Sequence, residues 1–120
     1  MPGFQKHAAP GGQMRILEWT LAAGENGDAF RLPSEADRSV QVIGSVFGTT
    51  VTIQGSNVPT PTLDAHWFTL HDSVGDTLAF TAVGGDAIME NTLWVRAITT
   101  GGDSGGTTAV TVYMSGRHSK

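Results

Sequence analysis

The stretch Ser39–Asn57, SVQVIGSVFGTTVTIQGSN, decides the fold class of this chain. In SVQVIGSV and TTVTIQGSN, β-branched residues alternate with polar ones, and a period of two places every second side chain on one face of a β-strand. Val40, Val42, Val51 and Ile53 are therefore expected to point into a core. With Phe47-Gly48 between the two runs as a turn, the stretch predicts a β-hairpin.

The remainder of the chain repeats this strand-and-turn pattern. MRILEWTLA from residue 14, HWFTLHD from residue 66, LWVRAIT from residue 93 and TTAVTVYMS from residue 107 are predicted strands, the last with Val110, Val112 and Met114 on one face. At residues 33–39, PSEADRS has a near capping box and predicts at most a short helix. About seven or eight short strands indicate one antiparallel β-sandwich or jelly roll, and the local pattern leaves the strand topology open.

Composition fixes the domain limits and excludes several kinds of site. The 120 residues suit a single domain with one core. Residues 1–13 hold two prolines and three glycines and are expected to form a flexible N-terminal arm, followed by a sandwich at 14–116 and a C-terminal tail at 117–120. With no cysteine, the chain has no disulfides or thiolate metal sites, and with no long apolar run near residue 1, we expect no signal peptide and no membrane span.

Charge argues against nucleic acid as a partner. Eleven acidic residues outnumber seven basic ones, giving a net charge of −4. A surface that follows phosphates needs clustered Lys and Arg, whereas the five arginines here are scattered through the sequence: Arg15, Arg31, Arg38, Arg96 and Arg117.

Several motifs carry possible chemistry, and each has a simpler structural interpretation. GDSGG at 102–106 matches the nucleophile segment of chymotrypsin-like proteases, but the chain is too short for their two barrels, and a glycine-rich loop explains it better. The loop from Asp72 to Asp76 suggests a calcium site only faintly, and a turn in which Asp72 hydrogen-bonds its own backbone is favoured. Glu18 and Glu90 are not brought together by any sequence pattern. We therefore expect no enzyme activity, no cofactor and no metal.

The order of segments resembles small phage virion structural proteins of the capsid decoration or cement type, which stabilise the head. In those proteins a strand ending in Gly-Ser-Asn precedes a Trp strand, a Leu-x-Asp turn and Leu-x-Phe-Thr, and an acidic residue, an aromatic, an Arg and a Thr-Gly-Gly-Asp loop follow. About 80 residues of this chain carry the pattern, at Val51–Asn57, Trp67–Thr81, Glu90, Trp94, Arg96 and Thr100–Asp103. These motifs are mostly turn and core residues, so they specify fold more than role.

The resemblance implies a virion protein on the capsid surface, assembled in the host cytoplasm, with the major capsid protein and copies of itself, as a homotrimer, as partners. Where those proteins have a shorter turn, this chain has NVPTPTLDAH at 57–66, which we interpret as a specialised contact. The expected contact residues are Phe4 and His7 in the arm and Pro59, Pro61 and Leu63 in the loop. A tail or head-fibre component is the first alternative. The second is a carbohydrate-binding module using exposed Trp19, Trp67 or Trp94, although tryptophans in alternating strands are more often buried.

Overall fold

Two antiparallel β-sheets make up the computed structural model, which describes residues 4–8, 14–22, 24–31, 35–44, 49–101 and 110–118. Sheet A has the order β1-β2-β10-β4-β8, and its strands are β1 (Phe4–Ala8), β2 (Met14–Leu21), β10 (Val110–His118), β4 (Glu35–Gly44) and β8 (Gly84–Ala87). Sheet B has the order β3-β9-β5-β6, with β7 also paired to β5, and its strands are β3 (Phe30–Arg31), β9 (Trp94–Gly101), β5 (Thr49–Ser56), β6 (Phe68–Thr69) and β7 (Ala79–Phe80). The predicted all-β antiparallel sandwich is confirmed.

Helix is nearly absent from the described part of the chain. The one helical element there is a single 3₁₀ turn at Asp64–His66. No helix within the described ranges has the length and apolar character to cross a bilayer.

The core lies between the two sheets and follows the alternation in the sequence. Val40 and Val42 from sheet A and Val51 and Ile53 from sheet B are all buried, as the period of two predicts. The same parity buries the other inward residues of the central strands: Leu17, Trp19, Leu21, Val95, Ala97, Val110, Val112 and Met114. Burial of these apolar side chains is the main favourable contribution to folding.

The predicted hairpin between β4 and β5 is wrong. β4 pairs with β10 and β8 in sheet A, whereas β5 pairs with β9, β6 and β7 in sheet B. The chain therefore passes from one sheet to the other between them, through residues 45–48, which include the expected Phe47-Gly48 turn and lie outside the described residues. Alternation determines which side chains face the core, and two strands on opposite sides of one core satisfy it as well as a hairpin does.

The predicted short helix at 33–39 is also wrong, because β4 already begins at Glu35. Asp37 has a positive φ of 50°, a conformation that aspartate tolerates better than most residues. Pairing with β10 shifts register between Ser115 and Arg117, so the irregularity is a β-bulge rather than a helical turn. Strand pairing over the whole of β10 outweighs the local capping pattern.

Strand structure near both ends of the chain reaches further than the sequence predicted. Phe4–Ala8 form β1 and pair with β2 from Phe4 opposite Trp19 to Ala8 opposite Arg15. These five residues belong to sheet A, not to a free arm, since the open edge of β2 offers backbone groups that even a weakly apolar segment can hydrogen-bond. At the other end, β10 continues to His118, beyond the expected boundary at residue 116.

Candidate functional site

The loop 57–67, here called the braced loop, is attached by hydrogen bonds to the start of β9. The indole Nε1 of Trp94 donates to the carbonyl of Pro59 at 3.1 Å, and the backbone N–H of Leu93 donates to Oδ1 of Asn57 at 3.1 Å. Two prolines and these two tethers limit the conformations open to the loop. The proline-containing segment of the sequence thus forms a loop that is held against sheet B.

Arg96 fixes the far end of the braced loop to the outer side of sheet B. Its Nε donates to Oε1 of Gln54 at 2.8 Å, and its guanidinium lies over the ring of Trp67, 4.4 Å from the ring centroid. A longer contact of 3.4 Å joins Nη2 to Oδ1 of Asp64. Burial lowers the pKa of Arg96 and the hydrogen bond and charge of Asp64 partly restore it, and an arginine remains charged throughout.

Within the braced loop, His66 closes the 3₁₀ turn. Its Nδ1 accepts hydrogen bonds from the backbone N–H groups of Thr62 at 3.1 Å and Leu63 at 3.2 Å. The N–H of His66 in turn donates to the carbonyl of Leu63 at 2.9 Å. The backbone around Leu63 is therefore held while its side chain stays 61% exposed.

The five expected contact residues lie in two separate places, three on the loop beside sheet B and two on a strand of sheet A. Pro59 and Leu63 are exposed and Pro61 is half-buried, all three on the braced loop beside sheet B. Phe4 and His7 lie on β1, at the edge of sheet A. The structure therefore gathers the loop residues into one feature and places the two N-terminal residues in the other sheet.

Sequence reasoning missed the arrangement of Arg96, Gln54 and Trp67. Gln54 stands directly opposite Arg96 in the pairing of β5 with β9, and that register cannot be read from the sequence. The signal available was weak: Trp67 and Arg96 occur in the segments that resemble the virion proteins. Arg96 is buried on the outer side of the sheet because the braced loop covers it.

A second polar cluster joins His71 to Glu90. Nδ1 of His71 lies 2.5 Å from Oε2 of Glu90, and the backbone N–H of His71 donates to Oε1 at 2.8 Å. The N–H of Met89 donates to the carbonyl of His71 at 2.8 Å. Burial raises the pKa of Glu90, but the hydrogen bonds from the His71 ring and backbone, with one from its own backbone, bring the net pKa below the usual 4.5.

This lowered pKa predicts acid sensitivity. A carboxylate whose pKa is lower in the folded state stabilises the fold above its unfolded pKa, and that stabilisation is lost as pH falls through the folded pKa. For Glu90 the loss begins near pH 4.5 and continues below it. Equilibrium urea unfolding from pH 7 to pH 3 should show a steeper acid loss of stability for the parent than for Glu90→Gln. Parallel pH profiles for the two proteins would contradict this role of the pair.

The segment 72–76 is a turn that satisfies its own hydrogen bonds. Oδ1 of Asp72 accepts from the N–H groups of Val74 at 3.0 Å and Asp76 at 2.9 Å, which confirms the favoured interpretation. Across the described ranges, no three His, Asp or Glu side chains group closely enough to hold a metal. Glu18 lies on β2 in sheet A, while Glu90 is engaged by His71, and the GDSGG motif at 102–106 lies outside the described residues.

The three tryptophans do not form a common surface. Trp19 is completely buried in the core, and its Nε1 donates to the carbonyl of Asp28 at 2.9 Å. Trp67 and Trp94 are half-buried, and each is occupied in holding the braced loop. The predicted core burial is confirmed for Trp19, whereas Trp67 and Trp94 are half-buried and lie outside the core cluster.

The chain is similar to known proteins in its three-dimensional structure only. No family model matches the chain, and no curated protein matches it. Similar solved structures include the three that follow. The cupin domain of Cnp3 from Schizosaccharomyces pombe has 12% identity and a TM-score of 0.45 over 97% of this chain and 60% of that one. A cupin domain from Bordetella pertussis Tohama I has 12% identity and a TM-score of 0.45 over 99% and 96%.

The third similar structure is peruvianin-I, a cysteine peptidase from Thevetia peruviana latex, with 17% identity and a TM-score of 0.43 over 88% of this chain and 51% of that one. The chain thus spans 60% and 51% of the lengths of the S. pombe and T. peruviana structures. At these identities and TM-scores, the three structures carry no argument about what this chain does.

Proposed function

We propose that this protein is a non-enzymatic structural component of a bacteriophage virion, a capsid decoration or cement protein that binds the outer head surface and stabilises the shell. Its partners in this proposal are the major capsid protein and two further copies of itself. Support comes from the resemblance of Val51–Asn57, Trp67–Thr81 and the Trp94–Arg96 segment to such proteins. The proposed location is the capsid surface.

The observation that carries the proposal is the braced loop with its exposed apolar side chain. Leu63 is 61% exposed although His66, Asn57 and Arg96 hold the loop around it. Phe68, which follows the loop on β6, is 41% exposed. A preorganised loop loses little conformational entropy on binding, so an apolar anchor on it gives more affinity than the same residue on a free chain.

A small contact of this kind suits a protein present in many copies. One loop with one or two apolar anchors buries far less than the roughly 1,200–2,000 Å² of a stable independent interface. When several copies are joined on one particle, each bound copy raises the effective concentration of the next contact. Weak single sites then suffice to hold a layer on a shell.

Leu63 provides the direct test. Leu63→Asp places a charge at the proposed anchor, and we expect it to reduce co-sedimentation with particles that lack the protein by at least about tenfold, the effect of losing about 1.4 kcal/mol of binding energy. Val74→Asp is the matched control, because Val74 is 79% exposed on the turn at 72–76 and should tolerate the same change.

Circular dichroism and urea unfolding must first show that both variants keep the fold. Equal occupancy of particles by Leu63→Asp and the parent protein would refute the loop as the contact. Equal loss in both variants would show a general charge effect and refute it as well.

A further inference from the structure

A shallow groove of about 760 Å³ crosses the outer face of sheet A. It runs over β2, β10, β4 and β8, whereas the braced loop belongs to sheet B. Its outward-pointing lining residues are Ile16, Ser39, Gln41, Tyr113 and Ser115. None of these residues is used in the proposed capsid contact.

Strand register builds the groove from two neighbouring rows. In one row Tyr113 lies between Glu18 and Gln41, and Gln41 pairs onward with Gly85. In the next row Ile16, Ser115, Ser39 and Ala87 follow one another across the same four strands. Because alternate residues face outward, the side chains of both rows stand on the solvent side of the sheet.

Glycine keeps one end of the groove open. A Cβ at Gly85 would lie 3.1 Å from the carbonyl oxygen of Val40, which is tighter than an ordinary contact, so the strand approaches β4 closely there. Without a side chain at Gly84 or Gly85, β8 forms a low wall beside Gln41. A ligand can therefore extend past Tyr113 toward the sheet edge.

The side chains of the groove define the chemistry of its ligand. Tyr113 and Ile16 are half-buried and supply an aromatic and an aliphatic surface. Ser39 and Ser115, whose hydroxyls lie 2.9 Å apart, and Gln41 supply neutral donors and acceptors. Glu18, next to Tyr113 in the first row, places a carboxylate on the same face of the sheet, and the described residues lining the groove include no Lys, Arg or His.

This combination matches a neutral saccharide better than an anion. A sugar ring presents C–H groups on one face, which stack on an aromatic ring, and hydroxyls at its edge, which pair with amides, hydroxyls and carboxylates. A phosphate or sulfate would meet the carboxylate of Glu18 beside the groove and no cation among the described residues that line it. Its volume falls within the range of about 300–1,000 Å³ found for small-ligand sites.

We propose that the groove on sheet A binds a neutral oligosaccharide, with one sugar ring stacked on Tyr113 and its hydroxyls paired with Gln41 and the Ser39–Ser115 hydroxyls. The site is independent of the capsid contact proposed above. A particle carrying this protein would then display many weak sugar sites, and their number would compensate for low single-site affinity.

The test is NMR titration of the labelled full chain with neutral hexasaccharides of glucose, mannose and N-acetylglucosamine at millimolar concentration. At least one should shift resonances of Tyr113, Gln41 and Gly85. Tyr113→Ala should weaken that binding by at least about tenfold, while Tyr113→Phe, which keeps the ring, should stay within about threefold of the parent. Ile43→Ala is the matched control, since Ile43 is 39% exposed on β4 but does not line the groove.

Three results would overturn the proposal: no shift with any neutral saccharide, shifts that Tyr113→Ala leaves unchanged, and shifts produced only by heparin or a lysine-rich peptide. A peptide that adds to the edge of β8 would move the amides of Gly84–Ala87 without depending on the Tyr113 ring. Leu63→Asp should keep full saccharide binding, so failure of the capsid contact and failure of the groove are distinguishable.

Discussion

Replacing Trp19 with alanine is expected to lower the free energy of unfolding by about 3–5 kcal/mol. Trp19 is completely buried, and its Nε1 donates to the carbonyl of Asp28 at 2.9 Å. The packing around it is close, since a Cβ on Gly27 would lie 2.7 Å from its Cδ1. Truncation therefore leaves both a large cavity and an unpaired carbonyl, in a domain whose total stability is typically about 5–15 kcal/mol.

Equilibrium urea unfolding measures this loss, and Trp67→Ala is the control. Trp67 is half-buried on the outer side of sheet B, so its truncation removes the contact with Arg96 without opening the core. We expect a clearly lower midpoint for Trp19→Ala than for Trp67→Ala, with similar m-values. Equal losses in the two variants would contradict the placement of Trp19 at the centre of the sandwich.

Gly55→Ala is the second change with a large expected effect. A Cβ at this position would overlap Thr92 Oγ1 and lie 2.8 Å from Cδ2 of Leu70, and both of those residues are buried. Thr92 cannot move freely, because its Oγ1 donates to the carbonyl of Trp94 at 2.8 Å and its own carbonyl accepts from Nη2 of Arg38 at 2.7 Å. The added methyl group must displace either the hydrogen-bonded Thr92 or the buried side chain of Leu70.

We expect Gly55→Ala to lower the free energy of unfolding by about 1–3 kcal/mol. Gly84→Ala is the matched control, since a Cβ at Gly84 meets nothing within 4 Å. That change should be neutral or slightly stabilising, as alanine costs less backbone entropy than glycine in a strand. Thermal and urea unfolding of both variants would give the comparison, and an unchanged midpoint for Gly55→Ala would contradict the packing of Thr92 against β5.

The sequence could predict which residues are inside because alternation is a local property. Val40, Val42, Val51 and Ile53 follow a period of two, and all four are buried. The same pattern could not predict that β4 and β5 belong to opposite sheets, since a strand's partner is chosen by the whole fold. Asp37 shows the opposite case, in which a local capping signal is overridden by pairing with β10.

The position of the braced loop could be predicted from the prolines in its sequence. Prolines at 59 and 61 indicate an irregular segment, and the structure gives that segment as the braced loop with Leu63 exposed. The contacts that hold the loop could not be predicted, because Arg96 and Gln54 are 42 residues apart and meet only through strand register. His71 and Glu90 are separated by 19 residues and meet for the same kind of reason.

The central claim, that this chain is an abundant layer on a capsid, is tested most directly by its copy number in purified virus particles. Quantitative mass spectrometry against the major shell protein would give that number. The proposal predicts on the order of hundreds of copies at a fixed ratio to the shell protein, as a repeated surface site requires. About a dozen copies or fewer would place the protein in the tail or portal region, and its absence from particles would contradict a virion role altogether.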